Sequence, residues 1–234
     1  MAHAVDVEDS VRTPVAPSPD RLRDFYFAAT ERLTLGLVSY RDHSLRLGPL
    51  ALISFGDASR TAHGWSFPIT GGALAAEPGG DLWLGNVDGL TSVAVVGYHP
   101  TLPLPIYRAT QYLFHRFMTR LALLQLRGRV PAEAPPATPA ARLAGGAIDA
   151  GVCLVLAGGR WRRALPLAVG YHVACWSFGG LTLGGLLLGQ RVVALDGRPV
   201  TPGQALLRLA ALPLALLRLR AVHDEVAGTD VVRP

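Results

Sequence analysis

Twenty-five consecutive residues, Ala164 to Leu188, carry no charge. As one helix at 1.5 Å per residue they would measure about 37 Å, more than the roughly 30 Å of a bilayer's hydrocarbon core. A shorter apolar run, Leu143 to Gly158, precedes them across Arg160, Arg162 and Arg163 and is interrupted by one carboxylate, Asp149. A third run, Gln204 to Leu219, contains Arg208 and Pro213, and a proline inside a short apolar helix favours incomplete crossing. The C-terminal half is therefore expected to be an α-helical membrane module of two full spans plus a short third helix.

A carboxylate in lipid costs several kcal/mol unless it pairs, is protonated or lines a wet cavity. Arg142 lies seven residues, roughly 10 Å, before Asp149 on the same helix side, too far for direct contact. Arg208 enters from the same membrane side and is expected to reach Asp149, so Arg142, Asp149 and Arg208 form the expected polar network. Its plain role is to lock helices together; the sharper alternative is a proton or cation site at Asp149. His172, in the second run, is read as a hydrogen-bonded packing residue before a proton relay. Gly180, Gly184, Gly185 and Gly189 offer a small-residue groove on the second span, with Gly145, Gly146 and Ala150 on the first. Asp196 before Gly197 predicts a tight turn joining two short extended pieces.

Taken in order, RLAGGAID (142–149), TLGGLLLGQRVVALDG (182–197), QALLRLAALPLALL (204–217) and HDEVAGTDVV (223–232) resemble the RDD family of bacterial membrane proteins, named for one arginine and two aspartates. The resemblance covers about residues 138–233 and would make Arg142, Asp149 and Asp196 the three name-giving residues. It brings Thr182, Gly184, Gly189 and Gly197 into a motif loop, and Asp224, Gly228 and Thr229 into a C-terminal motif. The family usually places a basic residue after Thr-x-Gly, where this chain has Gly185 and Leu186. What the resemblance implies is an integral membrane protein, with transport or ion exchange suggested for some members.

The N-terminal half reads differently. Residues 1–20, with Asp6, Glu8, Asp9 and several prolines, have neither the basic start nor the apolar stretch of a signal peptide and are expected to be a disordered tail. Residues 21–129 are expected to form a cytoplasmic β-rich domain. Period-two alternation appears at Leu45 and Leu47, Leu50 and Leu52, Trp65, Phe67 and Ile69, Leu82 and Leu84, and Val93 and Val95. Gly71-Gly72, Gly79-Gly80 and Asp88-Gly89 mark turns, which predicts an antiparallel sheet of five or six strands. One amphipathic helix, Ile106 to Arg127, is expected to cover the sheet. Its apolar side would be Ile106, Leu113, Phe114, Phe117, Leu121 and Leu124, and its polar side Arg108, His115, Arg116, Arg120 and Arg127. This outline resembles helix-grip domains, a likeness that implies a hydrophobic ligand between sheet and helix. Residues 130–141, rich in proline and alanine, are read as a linker to the membrane module at 142–234. The fold class is thus α+β.

All 22 basic residues are arginine, which we read as the coding bias of a GC-rich, bacterial genome. The net charge of +5 then argues for an anionic lipid surface over nucleic acid. Cys153 and Cys175 fall within apolar runs and are read as packing residues. No metal or cofactor is expected, and no catalytic constellation is recognisable, so an enzyme is not. If the third run does not cross, arginines divide eight (127, 129, 142, 191, 198, 218, 220, 233) against three (160, 162, 163). The positive-inside rule then puts both termini in the cytoplasm at a bacterial plasma membrane. Three functions follow: a membrane anchor assembling with copies of itself or another membrane protein, a small transporter or cation/proton exchanger using Asp149, or a membrane-tethered module for lipid or another hydrophobic ligand.

Overall fold

The computed structural model describes residues 4–128, 134–218 and 221–233. The chain divides into two compact units, Met1–Arg127 and Gly128–Pro234.

The first unit contains β1 (Val5–Arg12), α1 (Pro19–Leu33), β2 (Val38–Arg41), β3 (Ser44–Leu47), β4 (Leu50–Phe55), β5 (Ser59–Arg60), β6 (Gly64–Gly71), β7 (Asp81–Val87), β8 (Leu90–Tyr98), α2 (Leu104–Ala109) and α3 (Gln111–Arg127). The strands make a curled antiparallel sheet in the order β1-β8-β7-β6-β4-β3-β2, with β5 paired to β6 alone. The expected alternation holds where the sheet is covered: Phe67, Ile69, Leu82, Leu84, Val93 and Val95 are all buried. Asp88 and Gly89 have φ of 51° and 77°, and Val87 pairs with Leu90, the two-residue hairpin that a left-handed pair allows. Ring packing joins α1 to the sheet. Phe27 stacks on Tyr40 at 3.8 Å and meets Phe67 edge-on at 5.5 Å.

The expectation of a disordered tail over residues 1–20 is corrected. β1 pairs with β8 from Val5 to Arg12, and Ser18 caps α1 by accepting from the Arg21 amide at 3.3 Å. The acidic residues concealed a strand pattern in which Val7 and Val11 face inward and are buried. Asp9 lies 4.0 Å from the largely buried Arg120 of α3, so its carboxylate compensates a charge that would be costly alone.

The single covering helix is also corrected. The chain breaks at Thr110, whose φ and ψ are −126° and −82° and whose hydroxyl donates to the Ile106 carbonyl at 2.6 Å. This interruption shifts the helical phase. Leu121 and Leu124 are buried as expected, whereas Ile106, Leu113 and Phe114 are half exposed and Arg120 is buried.

The second unit contains α4 (Pro139–Leu156), α5 (Trp161–Phe178), α6 (Leu183–Leu187), β9 (Arg191–Ala194), α7 (Pro202–Arg218), α8 (Val222–Ala227) and β10 (Thr229–Val232). Residues 129–133 of the expected linker lie outside the described residues. The remainder belongs to the unit: the Ala137 amide donates to the Val231 carbonyl at 2.8 Å, and Thr138 caps α4, which begins at Pro139, three residues before the expected boundary at 142. Ala137 joins Trp176, Val192, Val200, Ala205 and Val231 in one buried cluster.

Of the two full spans expected, one has a counterpart by length and composition. Among the described residues only α4 is long and apolar enough to cross a membrane, with a mean hydropathy of 1.4 over 18 residues. The 25-residue uncharged run is not one helix. α5 stops at Phe178, Gly180 takes φ of 71°, and Thr182 starts α6 by accepting from the Gly185 amide at 3.0 Å. The glycines thus lie on no shared helix face. A β-carbon on Gly180 would run into the Val192 carbonyl, and one on Gly184 into the backbone of Gly145.

Candidate functional site

Two polar clusters occupy the second unit where the sequence predicted one. In the first, Arg142 at the start of α4 donates from Nη1 to Asp224 Oδ2 and from Nη2 to Asp230 Oδ1, each at 2.7 Å. Arg208, in α7, donates to the other Asp224 oxygen, Oδ1. Its Nη1 also donates to the Thr229 hydroxyl at 2.8 Å, and that hydroxyl donates onward to Asp224 at 3.1 Å. The Arg208 guanidinium lies over the Trp176 ring of α5 at 4.8 Å. Asp224 is fully buried and Arg208 nearly so. Two arginines face two aspartates, so the cluster balances its formal charge, the condition under which buried ions persist. Local structure aims these groups: Gly228 closes α8 in the left-handed conformation, φ 62°, turning the chain into β10, which carries Thr229 and Asp230.

In the second cluster Asp149, on α4, accepts at Oδ1 from the Tyr171 hydroxyl at 3.0 Å and the Gly184 amide at 2.8 Å. Tyr171 in turn accepts from the Leu183 amide at 2.6 Å. A carboxylate on one helix therefore holds the start of α6 and a residue of α5. His172 Nδ1 lies 2.8 Å from the Ala168 carbonyl. A carbonyl only accepts, so Nδ1 carries a proton and Nε2 is left facing Asp149 Oδ2 at 3.9 Å.

The expected pairing of Arg208 with Asp149 is corrected. Arg208 is taken up by Asp224 and Thr229, and Asp149 by Tyr171 and the α6 backbone. Arg142, Asp224 and Thr229 do share one cluster with Arg208, while Thr182 and Gly184 assemble beside Asp149. Asp196 joins neither: its Oδ1 accepts from the Arg198 amide at 3.3 Å and Gly197 has φ of 79°, so it makes the expected turn. The strand before that turn pairs with β10 along its length, and only its last residue reaches past the turn, the Ala194 amide donating to the Arg198 carbonyl at 3.1 Å. Gly189, φ 61°, turns the chain from α6 towards β9. Sequence reasoning missed Asp230, inside the C-terminal block, and Tyr171, a hydroxyl in an otherwise apolar run. Among the described residues no group of three or more metal-ligating side chains could hold a metal ion.

A family model, that of the RDD family, matches residues 163–223. The C-terminal part of the chain carries an RDD module. A search among curated proteins returned no match, and neither did one among solved structures. The matched stretch holds Tyr171, His172, Gly184, Asp196 and Arg208, but the groups that complete both clusters lie outside it. Arg142 and Asp149 come before the match and Asp224, Thr229 and Asp230 after it. The RDD module is therefore physically closed by the helix before the matched stretch and by α8 and the strand beyond it, and the match to this family suggests a membrane-associated protein.

Proposed function

We propose that the RDD module anchors the chain in a lipid bilayer through α4 and holds the β-rich unit, covalently joined to it, at the membrane. The observation that carries this reading is the burial of α4. Its buried positions are Gly145, Asp149 and Cys153, spaced four residues apart and so forming one narrow stripe. Leu143, Val155 and Leu156 are exposed, as are Leu165 and Phe178 on α5. Exposed apolar surface of this extent marks a membrane or partner contact, and the family favours the membrane. Arg142 bonds to Asp224 and Asp230, which tie the C-terminal segment to the start of α4 and support the eight-to-three arginine division. In this reading α5, with Leu165 and Phe178 exposed, carries the chain back across beside α4, so that both termini face the cytoplasm of a bacterium, and copies of the chain or another membrane protein pack laterally on the exposed helices. No catalysis and no nucleic acid is assigned.

The test is extraction of the full chain from membranes. Wild type is expected to resist alkaline carbonate and yield to detergent. Ala147→Asp, placing a charge on the exposed face near the middle of α4, is expected to cost insertion about 3 kcal/mol and release or destabilise the chain. Complete release of the wild type by carbonate would sink the anchor.

A second reading rests on His172. With Nδ1 committed to Ala168, His172 Nε2 and the Asp149 carboxylate, 3.9 Å apart, face each other as a site for a proton or a cation. In this reading the module exchanges cations for protons at Asp149. Flux in proteoliposomes that disappears in both Asp149→Asn and His172→Gln supports exchange; absence of flux in the wild type removes it and leaves the anchor.

A further inference from the structure

The β-rich unit contains a cavity of about 150 Å³ between the concave face of the sheet and its three helices. Val7 and Val95 line its sheet side, Tyr26 and Thr30 its α1 side, and Phe114 and Met118 its α3 side. Several of the wall's polar names conceal satisfied atoms. The Tyr98 hydroxyl donates to the Leu74 carbonyl, Thr30 to the Tyr26 carbonyl at 3.0 Å and Thr34 to the Thr30 carbonyl at 2.8 Å. The nearby charge is suppressed as well: burial pushes the His115 imidazole, part of the lining, down to about 4, so it is neutral near pH 7. The surface offered to a guest is apolar.

The mouth has the same character. Val38 lines the cavity and pairs with Leu47, which pairs with Leu50, so the three share one face of the sheet; both leucines are exposed. Leu35 and Leu37, in the turn between α1 and β2, are 90% and 64% exposed. Leu35 also has φ of 55°, a conformation that disfavours a leucine. Phe114, itself a lining residue, is 57% exposed. Exposed leucines of this kind are unfavourable in water, and that cost falls when hydrocarbon covers them.

We propose that this cavity takes the terminal segment of an unbranched alkyl chain, with the rest of the chain lying across the leucine rim and the polar head outside. Volume sets the depth. An apolar cavity near 150 Å³ holds a guest of about six carbons, benzene being the measured case, too small for a whole lipid and open enough for a longer chain to leave through the mouth. The walls present no charge to a carboxylate or phosphate, so the head stays in water. A free fatty acid and a bilayer phospholipid supply the same chain.

The experiment is photolabelling of the full chain with a sixteen-carbon fatty acid bearing a diazirine at its methyl end, with the same acid bearing it near the carboxylate, and with a phosphatidylcholine carrying the methyl-end chain. Methyl-end probes are expected to label Val7, Tyr26 or Val95, and the near-carboxylate probe is not. Val38→Phe, which fills the opening, is expected to lower that labelling at least tenfold, as is a hundredfold excess of unlabelled palmitate on the wild type. The competition arm needs no variant, and the fatty-acid arms need no bilayer, so their failure is separate from failure of the anchor. Labelling by both methyl-end probes identifies bilayer lipid as a source, and labelling by the fatty acid alone identifies the free acid. Labelling confined to the rim, equal for both diazirine positions, or insensitive to palmitate overturns the proposal.

Discussion

Asp224→Ala is expected to destabilise the RDD module by roughly 3–5 kcal/mol, the cost of stranding buried charge. Two arginines depend on this one fully buried carboxylate: Arg142 reaches Oδ2 at 2.7 Å and Arg208 reaches Oδ1. Their losses differ. Arg142 keeps Asp230 at 2.7 Å and is partly exposed, whereas Arg208 keeps Thr229 and the face of Trp176 in a buried setting. Most of the penalty should therefore pass through Arg208. Removing both members of that pair as Arg208→Met with Asp224→Leu is expected to recover a large part of the loss, since an apolar pair needs no compensation. Detergent-induced unfolding of the full chain, followed by tryptophan fluorescence because Trp176 stacks on Arg208, measures both. A coupling below about 0.5 kcal/mol in the double-mutant cycle would show that the cluster does not lock these helices.

Gly184→Ala is the second large effect, expected to cost about 3 kcal/mol or more although it adds one methyl group. A β-carbon at Gly184 would meet the carbonyl, carbonyl carbon and Cα of Gly145. Backbone cannot swing aside as a side chain does, so α4 and α6 must separate. Separation would stretch the bond from the Gly184 amide to Asp149, now 2.8 Å, and loosen the second cluster. Gly146→Ala is the control. Nothing lies within 4 Å of a β-carbon there, and alanine in a helix is favoured over glycine by about 1 kcal/mol. Unfolding midpoints in detergent should fall for Gly184→Ala and stay level or rise for Gly146→Ala. Equal midpoints would mean that α4 and α6 do not approach closely.

How far each cluster was legible depends on the reach of its contacts. Asp149 stood out because a carboxylate in an apolar run must be compensated, and Arg208 because an arginine in such a run must be as well. Pairing them with each other was the economical choice and was incorrect. The partners Asp224 and Tyr171 lie 16 residues from Arg208 and 22 from Asp149, and no spacing rule reaches that far. The long uncharged run misled for a related reason. Hydropathy measured its length but not the break at Gly179-Gly180, whose carbonyls accept from the Arg191 side chain at 3.0 Å and the Val192 amide at 2.8 Å, both in β9. In the β-rich unit the period-two pattern was readable in the covered strands, where one face is apolar. It was missed in residues 5–12, where Asp9 occupies an inward-facing position and finds Arg120 only once α3 is in place.

By itself the sequence determined local conformation and the requirement for compensation: Asp88-Gly89 must turn, Phe67 and Ile69 must face inward together, and Asp149 and Arg208 must find partners. These follow from backbone sterics, side-chain periodicity and the cost of burying charge, which act within a few residues or on one residue alone. Tertiary structure alone decided which partner each charge received, which of two adjacent glycines bears a close helix contact, and that the acidic N-terminal stretch completes a sheet. Those outcomes depend on distances between segments far apart in the chain, which are set only when the helices and strands have packed.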